Sequence, residues 1–108
     1  MTVRELMDLI GARSLNDSAP LDAEITCGYT CDLLSWVLAH GKQGMAWCTV
    51  QTHVNVIAVA VLMEMACVIL VEGVEAEPAS LKKAQEEDMP VLATGKTAYE
   101  VSVLMGQI

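Results

Sequence analysis

With 108 residues, the chain is long enough for one hydrophobic core and too short for two. Its 54% apolar composition and mean hydropathy of +0.44 predict either elements buried on both faces or an apolar surface covered by a partner subunit. The net charge of −8 and the scattering of the six Lys and Arg residues exclude nucleic acid as an expected partner, because an acidic surface repels phosphate backbones.

The longest apolar stretch, residues 54–71, does not predict a membrane span. It carries Asn55 and Glu64, and its character changes midway from alanine-rich to β-branched, which indicates a helix followed by a strand. Residues 1–8 lack the basic and apolar regions of a signal peptide. We therefore expect a cytoplasmic protein without a membrane partner, whose four cysteines are reduced thiols.

The first half of the chain predicts two helices and two strands. Thr2 and Glu5 form the capping box of a short helix that Gly11 ends. The pattern then predicts a short strand, a loop, a strand and an amphipathic helix over residues 14–16, 17–22, 24–29 and 32–40.

The second half alternates strands and helices more regularly. Strands are predicted over 45–51, 67–71 and 90–93, and helices over 53–65, 79–87 and 97–105. The helix over 79–87 is charged and is expected to face solvent. Because each short apolar strand is followed by a helix, the sequence predicts a single α/β domain over residues 1–108, with a short, largely parallel sheet and helices packed on its faces.

Two apparent catalytic motifs fail on inspection. Gly95, Lys96 and Thr97 resemble the end of a phosphate-binding loop, but Pro90 stands where that motif needs its first glycine, so a simple turn with Thr97 at the helix cap is predicted. The cysteines and His53 show no paired zinc spacing, and the chain offers no activated nucleophile. We therefore expect no metal, no cofactor and no catalytic residues.

Ligands of parallel sheets usually bind beyond the carboxyl ends of the strands. The polar and turn residues near those ends are the candidate ligand-binding residues: Tyr29, Asp32, Ser35, Gln51, Thr52, His53, Asn55, Glu72, Gly73 and Thr97. The turn after the strand at 24–29 and the turn at 51–55 are hypothesised to face one cleft, lined by Asp32, Gln51, His53 and Asn55. For each, helix capping is the competing interpretation, and for His53 the two interpretations are evenly balanced.

These turns resemble the DRTGG-domain family, and the resemblance covers nearly the whole chain. The segments that carry it are Gly-Tyr-Thr-Cys-Asp-Leu-Leu-Ser at 28–35, Val-Gln-Thr-His-Val-Asn-Val-Ile-Ala-Val-Ala at 50–60, and Pro-Val-Leu-Ala-Thr at 90–94, with Thr97, Tyr99 and Val101. The chain is also similar to the N-terminal, non-catalytic domain of HPr kinase/phosphorylase. The resemblance implies an α/β fold, self-association, a regulatory role and, in some members, nucleotide binding.

The chain departs from the family pattern at both name-giving positions. Thr52 and His53 stand where the family has Asp-Arg, and Val71, Glu72 and Gly73 stand where it has Thr-Gly-Gly. The ligand of better-known members is therefore not carried over to this sequence, and neither is a kinase activity.

Three functional hypotheses follow. The first is a regulatory module that binds a small molecule or nucleotide and acts as a homodimer. The second is a pure interaction subunit that docks on a larger metabolic or signalling enzyme. The third and weakest is a small enzyme that uses His53 and Asp32 as an acid–base pair. The apolar helix over 54–65 is the expected self-association surface, unless both of its sides are covered within one subunit.

Overall fold

The computed structural model describes all 108 residues and contains five helices and five strands, which alternate from residue 27 onward. The helices are α1 (Val3–Ile10), α2 (Leu34–His40), α3 (Val54–Leu62), α4 (Pro78–Glu86) and α5 (Ala98–Met105). The strands are β1 (Arg13–Ser14), β2 (Cys27–Thr30), β3 (Met45–Thr49), β4 (Cys67–Leu70) and β5 (Val91–Ala93). They form one sheet in the order β1-β5-β4-β3-β2, in which only β1 runs antiparallel to its neighbour. The predicted α/β class is confirmed.

The helices cover both faces of this sheet. Because successive strand residues point to opposite faces, Trp47 and Val68 pack with α2, α3 and α4, whereas Cys48 and Ile69 pack with α1 and α5. The crossovers β2–α2–β3, β3–α3–β4 and β4–α4–β5 all step in one direction along the sheet, so right-handed connections place their helices on the same side. None of the helices has the length and apolar character needed to cross a membrane.

The starts of α1 and α5 are encoded locally and follow the sequence prediction. Thr2 accepts a hydrogen bond from the Glu5 amide and Glu5 accepts one from the Thr2 amide, which completes the predicted capping box of α1. Thr97 forms the same reciprocal arrangement with Glu100 at the start of α5. The turn predicted for residues 94–96 is therefore confirmed, and Thr97 is a helix cap.

Several predicted boundaries were wrong where a long-range contact replaced a local one. The strand predicted over 24–29 is β2, Cys27–Thr30, because Glu24 instead binds the amino terminus and bridges Thr2. The helix predicted from Asp32 begins at Leu34. The remaining strands and helices are shorter than predicted or shifted by one to a few residues, as their bounds show.

Because two thiols are deeply buried, we expect the protein to lose stability at alkaline pH. Burial raises the pKa of Cys48 from 9.0 to about 11 and that of Cys67 from 9.0 to about 12. Between pH 9 and these values the unfolded chain loses protons that the folded chain retains, so the free energy of unfolding must fall as pH rises. Burial also raises the pKa of the Tyr29 phenol, which acts in the same direction at higher pH.

Urea denaturation from pH 7 to pH 11 checks this prediction. We expect similar free energies of unfolding at pH 7 and 8 and a progressive decrease above pH 9, with a shallower decrease in Cys67→Ala. Equal stabilities at pH 7.5 and 10.5 would contradict it.

Candidate functional site

Asp32 and Gln51 tie the turn after β2 to the end of β3. The Thr49 hydroxyl and the Val50 amide donate to Asp32 Oδ1 at 2.8 and 3.0 Å. Gln51 Nε2 donates to the Asp32 carbonyl oxygen at 3.1 Å. Asp32 therefore does not cap α2, contrary to the capping interpretation. Its second carboxylate oxygen makes no hydrogen bond to the protein. Asp32 therefore holds the turn after β2 against the end of β3 and keeps one free acceptor atom.

Thr52, His53 and Asn55 shape the start of α3. His53 is the N-cap, and its Nδ1 accepts a hydrogen bond from the Asn55 amide at 3.1 Å. Nδ1 is thus unprotonated in this arrangement, and only Nε2 is left to meet a ligand. The Thr52 carbonyl accepts a hydrogen bond from the Ser80 hydroxyl at 2.6 Å, which binds the start of α3 to α4.

A small cavity lies where these turns meet the apolar interior. Gln51, Thr52 and His53 line its outer side, and Ser80 of α4 adds a hydroxyl. Its remaining walls are apolar: Val56, Ile57, Leu70, Ala76, Leu81 and Val91. The cavity holds about 10 Å³, which is room for one water molecule. A larger ligand therefore enters only if exposed side chains such as Gln51 and His53 move aside.

Glu72, Gly73 and Thr97 form a separate group between β4 and β5. The Glu72 and Gly73 amides donate to the carbonyl oxygens of Lys96 and Thr94 at 2.8 and 3.1 Å. Glu72 Oε2 accepts a hydrogen bond from the Ala98 amide at 2.9 Å, at the first residue of α5. Both Glu72 and Gly73 have positive φ angles, 63° and 71°, a backbone conformation that strains Glu72 and suits Gly73.

This group fills the place where a parallel sheet would ordinarily hold a ligand. The connections after β4 and β5 leave toward opposite faces of the sheet, and such a divergence opens a crevice between neighbouring strands. Here the carboxylate of Glu72 already lies at the amino end of α5, where a ligand's anionic group would bind. The amide at the start of α5 is therefore already bonded to a carboxylate of the chain itself.

The two remaining candidates, Tyr29 and Ser35, lie apart from the other eight. Tyr29 is a partly buried residue of β2 that packs with the α2 side of the sheet. Ser35 is exposed in the first turn of α2. The ten candidates thus share the carboxyl edge of the sheet without forming one cleft, and the ligand-binding role of each stays a prediction.

The sequence analysis missed the contribution of α4. The prediction that this helix faces solvent was wrong for one of its sides, because Ser80 and Ala84 are buried. These two small residues are four positions apart, a spacing that places both on one helical face and allows close packing. That pairing was the available signal for Ser80 as a cavity residue.

His53 and Asp32 do not form the hypothesised acid–base pair. No ion pair or hydrogen bond joins His53 to Asp32, and each is bound to other groups. Nowhere do three His, Cys, Asp or Glu side chains gather closely enough to hold a metal ion.

Comparison with known proteins shows the fold alone. No protein-family profile and no curated protein sequence matches the chain. A structural match is the CBS and DRTGG domains of the regulatory region of Clostridium perfringens pyrophosphatase, in complex with its activator diadenosine tetraphosphate. The TM-score is 0.76 at 12% sequence identity, over 98% of this chain and 46% of that chain. The chain therefore has a DRTGG-like fold and spans less than half of the matched regulatory region.

Proposed function

We propose that this chain is a non-catalytic regulatory module, active as a homodimer, that binds a nucleotide or another small metabolite at the cavity beside His53. The observation that carries the proposal is a cavity beyond the carboxyl end of β3, lined in part by three residues selected from the sequence, Gln51, Thr52 and His53. The structural match supports the regulatory part, since that region is regulatory and its complex contains a nucleotide activator. Likeness to the HPr kinase domain stays a prediction.

The cavity walls indicate which part of a ligand fits. Once Gln51 and His53 move aside and widen the cavity, its apolar walls suit a planar base or another small ring, while Gln51, His53 and Ser80 offer hydrogen-bonding groups at its edge. The exposed Glu75 and Glu77 lie on the neighbouring loop and disfavour free phosphates. We therefore expect the ring of the ligand to enter the cavity and any phosphates to stay in solvent or to arrive with a divalent cation.

A thermal-shift titration with nucleotides, with and without Mg²⁺, and with common metabolites tests the proposal. A ligand at 100 times its Kd stabilises the folded state by about 2.7 kcal/mol, which in a domain of this size raises Tm by roughly 10–20 °C. We expect His53→Ala to remove most of that shift.

His40→Ala is the matched control, because His40 is the other histidine and lies outside the cavity. It should preserve the shift. A wild-type protein that responds to no compound, or a His53→Ala variant that responds like the wild type, would refute binding at this cavity.

The alternative function is a subunit that docks on a larger enzyme without a small ligand. It is favoured by an apolar groove of about 240 Å³ between α2 and α3, whose rim carries the exposed Leu38 and Leu62. Binding of a purified enzyme that is lost in Leu62→Lys, together with no response in the thermal-shift screen, would select this alternative.

A further inference from the structure

The outer side of β2 is an open sheet edge. β2 pairs only with β3, and the Cys31 amide donates to Cys48 across that pair. Because bonding alternates along a strand, the backbone N–H and C=O groups of Gly28 and Thr30 point away from the sheet. Proteins commonly protect such edges with charged residues, proline or bulges. β2 has none of these, whereas β1, at the other edge, is only two residues long and carries Arg13.

Uncharged, apolar helix faces lie on both sides of this edge. On one side, Leu33, Trp36 and His40 share one face of α2; Trp36 is 53% exposed and stacks on His40. Trp36 also lies beside the Tyr29 phenol of β2. Burial raises the pKa of this phenol, and the contact with Trp36 lowers it. This side therefore offers an apolar surface next to the strand.

On the other side, α5 offers a matching face. Tyr99, Ser102, Val103 and Gly106 follow the spacing of a single helical face, and Tyr99 and Val103 are 79% and 59% exposed. Between this face and β2 runs a groove of about 210 Å³, lined in part by Gly28, Ser102 and Gly106. Met105 reaches so close to Gly28 that a Cβ there would meet its sulfur at 3.0 Å.

Charge identifies the partner that this edge fits. The chain has a net charge of −8, yet β2 and α2 contain no Asp, Glu, Lys or Arg, and Glu100 is the single charged residue of α5. Two identical acidic chains repel each other across most of their surfaces, so they approach most easily where both carry little charge. A basic partner would instead prefer the acidic surfaces.

The exposed area is also of the right order. The exposed parts of Leu33, Trp36, Tyr99 and Val103 amount to roughly 500 Å². A specific dimer buries about 800 Å² on each partner. These side chains together with the strand edge approach that size.

We propose that two copies of this chain pair through their β2 edges, antiparallel about a twofold axis, and join their sheets into one. The pairing satisfies the outward groups of Gly28 and Thr30. It also covers Trp36 on one face and Val103 on the other. The proposal rests on the homodimer of the proposed function but not on its ligand. It places the interface on the edge rather than on α3, where Val56, Ile57, Val59 and Ala60 are buried within the subunit.

Sedimentation velocity of the whole chain between 1 and 100 µM tests the pairing. The wild type should approach twice its 11.6 kDa mass. Trp36→Lys combined with Val103→Lys places charges at both flanks and should weaken association by roughly 100-fold. Leu62→Lys adds the same charge at a 70% exposed site in the α2–α3 groove and should leave the dimer intact.

Amide hydrogen exchange gives a readout that does not depend on any variant. In the wild type, the Gly28 and Thr30 amides should exchange more slowly at 100 µM than at 1 µM. Raising the salt from 20 to 150 mM should strengthen association, because screening reduces the repulsion between two acidic chains.

The proposal is overturned by a wild type that stays monomeric at 100 µM. It is equally overturned by a dimer that Leu62→Lys breaks while the double variant retains it, or by a dimer whose Gly28 and Thr30 amides exchange freely. The thermal-shift response at His53 is measured independently in the same variants, so failure of the interface is distinguishable from failure of the ligand site.

Discussion

Replacement of Trp47 by alanine is expected to lower the free energy of unfolding by about 3–5 kcal/mol. Trp47 is fully buried in the middle of β3, and it packs with the cluster that α2, α3 and α4 form over the sheet. Its indole Nε1 donates a hydrogen bond of 2.8 Å to the Cys31 carbonyl. The substitution therefore leaves both a large cavity and an unpaired carbonyl in a domain whose total stability is expected to be about 5–15 kcal/mol.

Urea denaturation followed by circular dichroism measures this loss. Trp47→Phe is the informative comparison, because it retains most of the ring volume and removes the hydrogen bond. It should lower stability by about 1–3 kcal/mol. A loss below 1 kcal/mol for Trp47→Ala would mean that the core around β3 is less tightly packed than its burial indicates.

Asp32→Ala is expected to destabilise the protein by about 2 kcal/mol, although the residue is exposed. The reason is that Oδ1 accepts from both the Thr49 hydroxyl and the Val50 amide, and both donors lose their partner in the variant. Asp32→Asn keeps a carbonyl oxygen at this position and should recover more than half of the loss. The free energy of unfolding in urea measures both.

The same pair of variants separates a structural role of Asp32 from a ligand-binding one. If Asp32→Asn restores stability but weakens the thermal-shift response, the free carboxylate oxygen contacts the ligand. If Asp32→Ala leaves the stability of the protein unchanged, the two hydrogen bonds of Asp32 do not stabilise the turn after β2, and the structural role that we assign to this residue is wrong.

The sequence predicted the features whose causes are local. The alternation of strands and helices indicated the α/β class, and the capping box at Thr2 and the cap at Thr97 were readable because helix caps depend on residues close in sequence. The antiparallel pairing of β1 with β5 was not predictable, because it joins Arg13 to Ala93 through tertiary contacts. Sequence spacing carries no information about such a pairing.

The candidate site was predicted in position but not in organisation. The residues chosen from the strand ends do lie along one edge of the sheet, since parallel strands bring their carboxyl ends together. They divide into separate groups because polar side chains find partners inside the chain: Asp32 binds β3, His53 caps α3 and Glu72 caps α5. The hydrogen-bond partner that each of these side chains takes depends on distances in the folded chain, which sequence spacing does not reveal.

The pairing of β1 with β5 also affects how the chain folds as it is made. At synthesis rates of about 5–20 residues per second, Ala93 emerges roughly 4–16 s after Arg13. Strands β2 to β4 can pair one after another during that interval. The apolar face of α1 remains unpacked until α5 is made, and β1 remains unpaired until β5 is made. α1 and β1 are thus synthesised well before the partners they pack against, so Val3, Leu6 and Ile10 stay exposed until α5 is made and are expected to bind a chaperone during that interval.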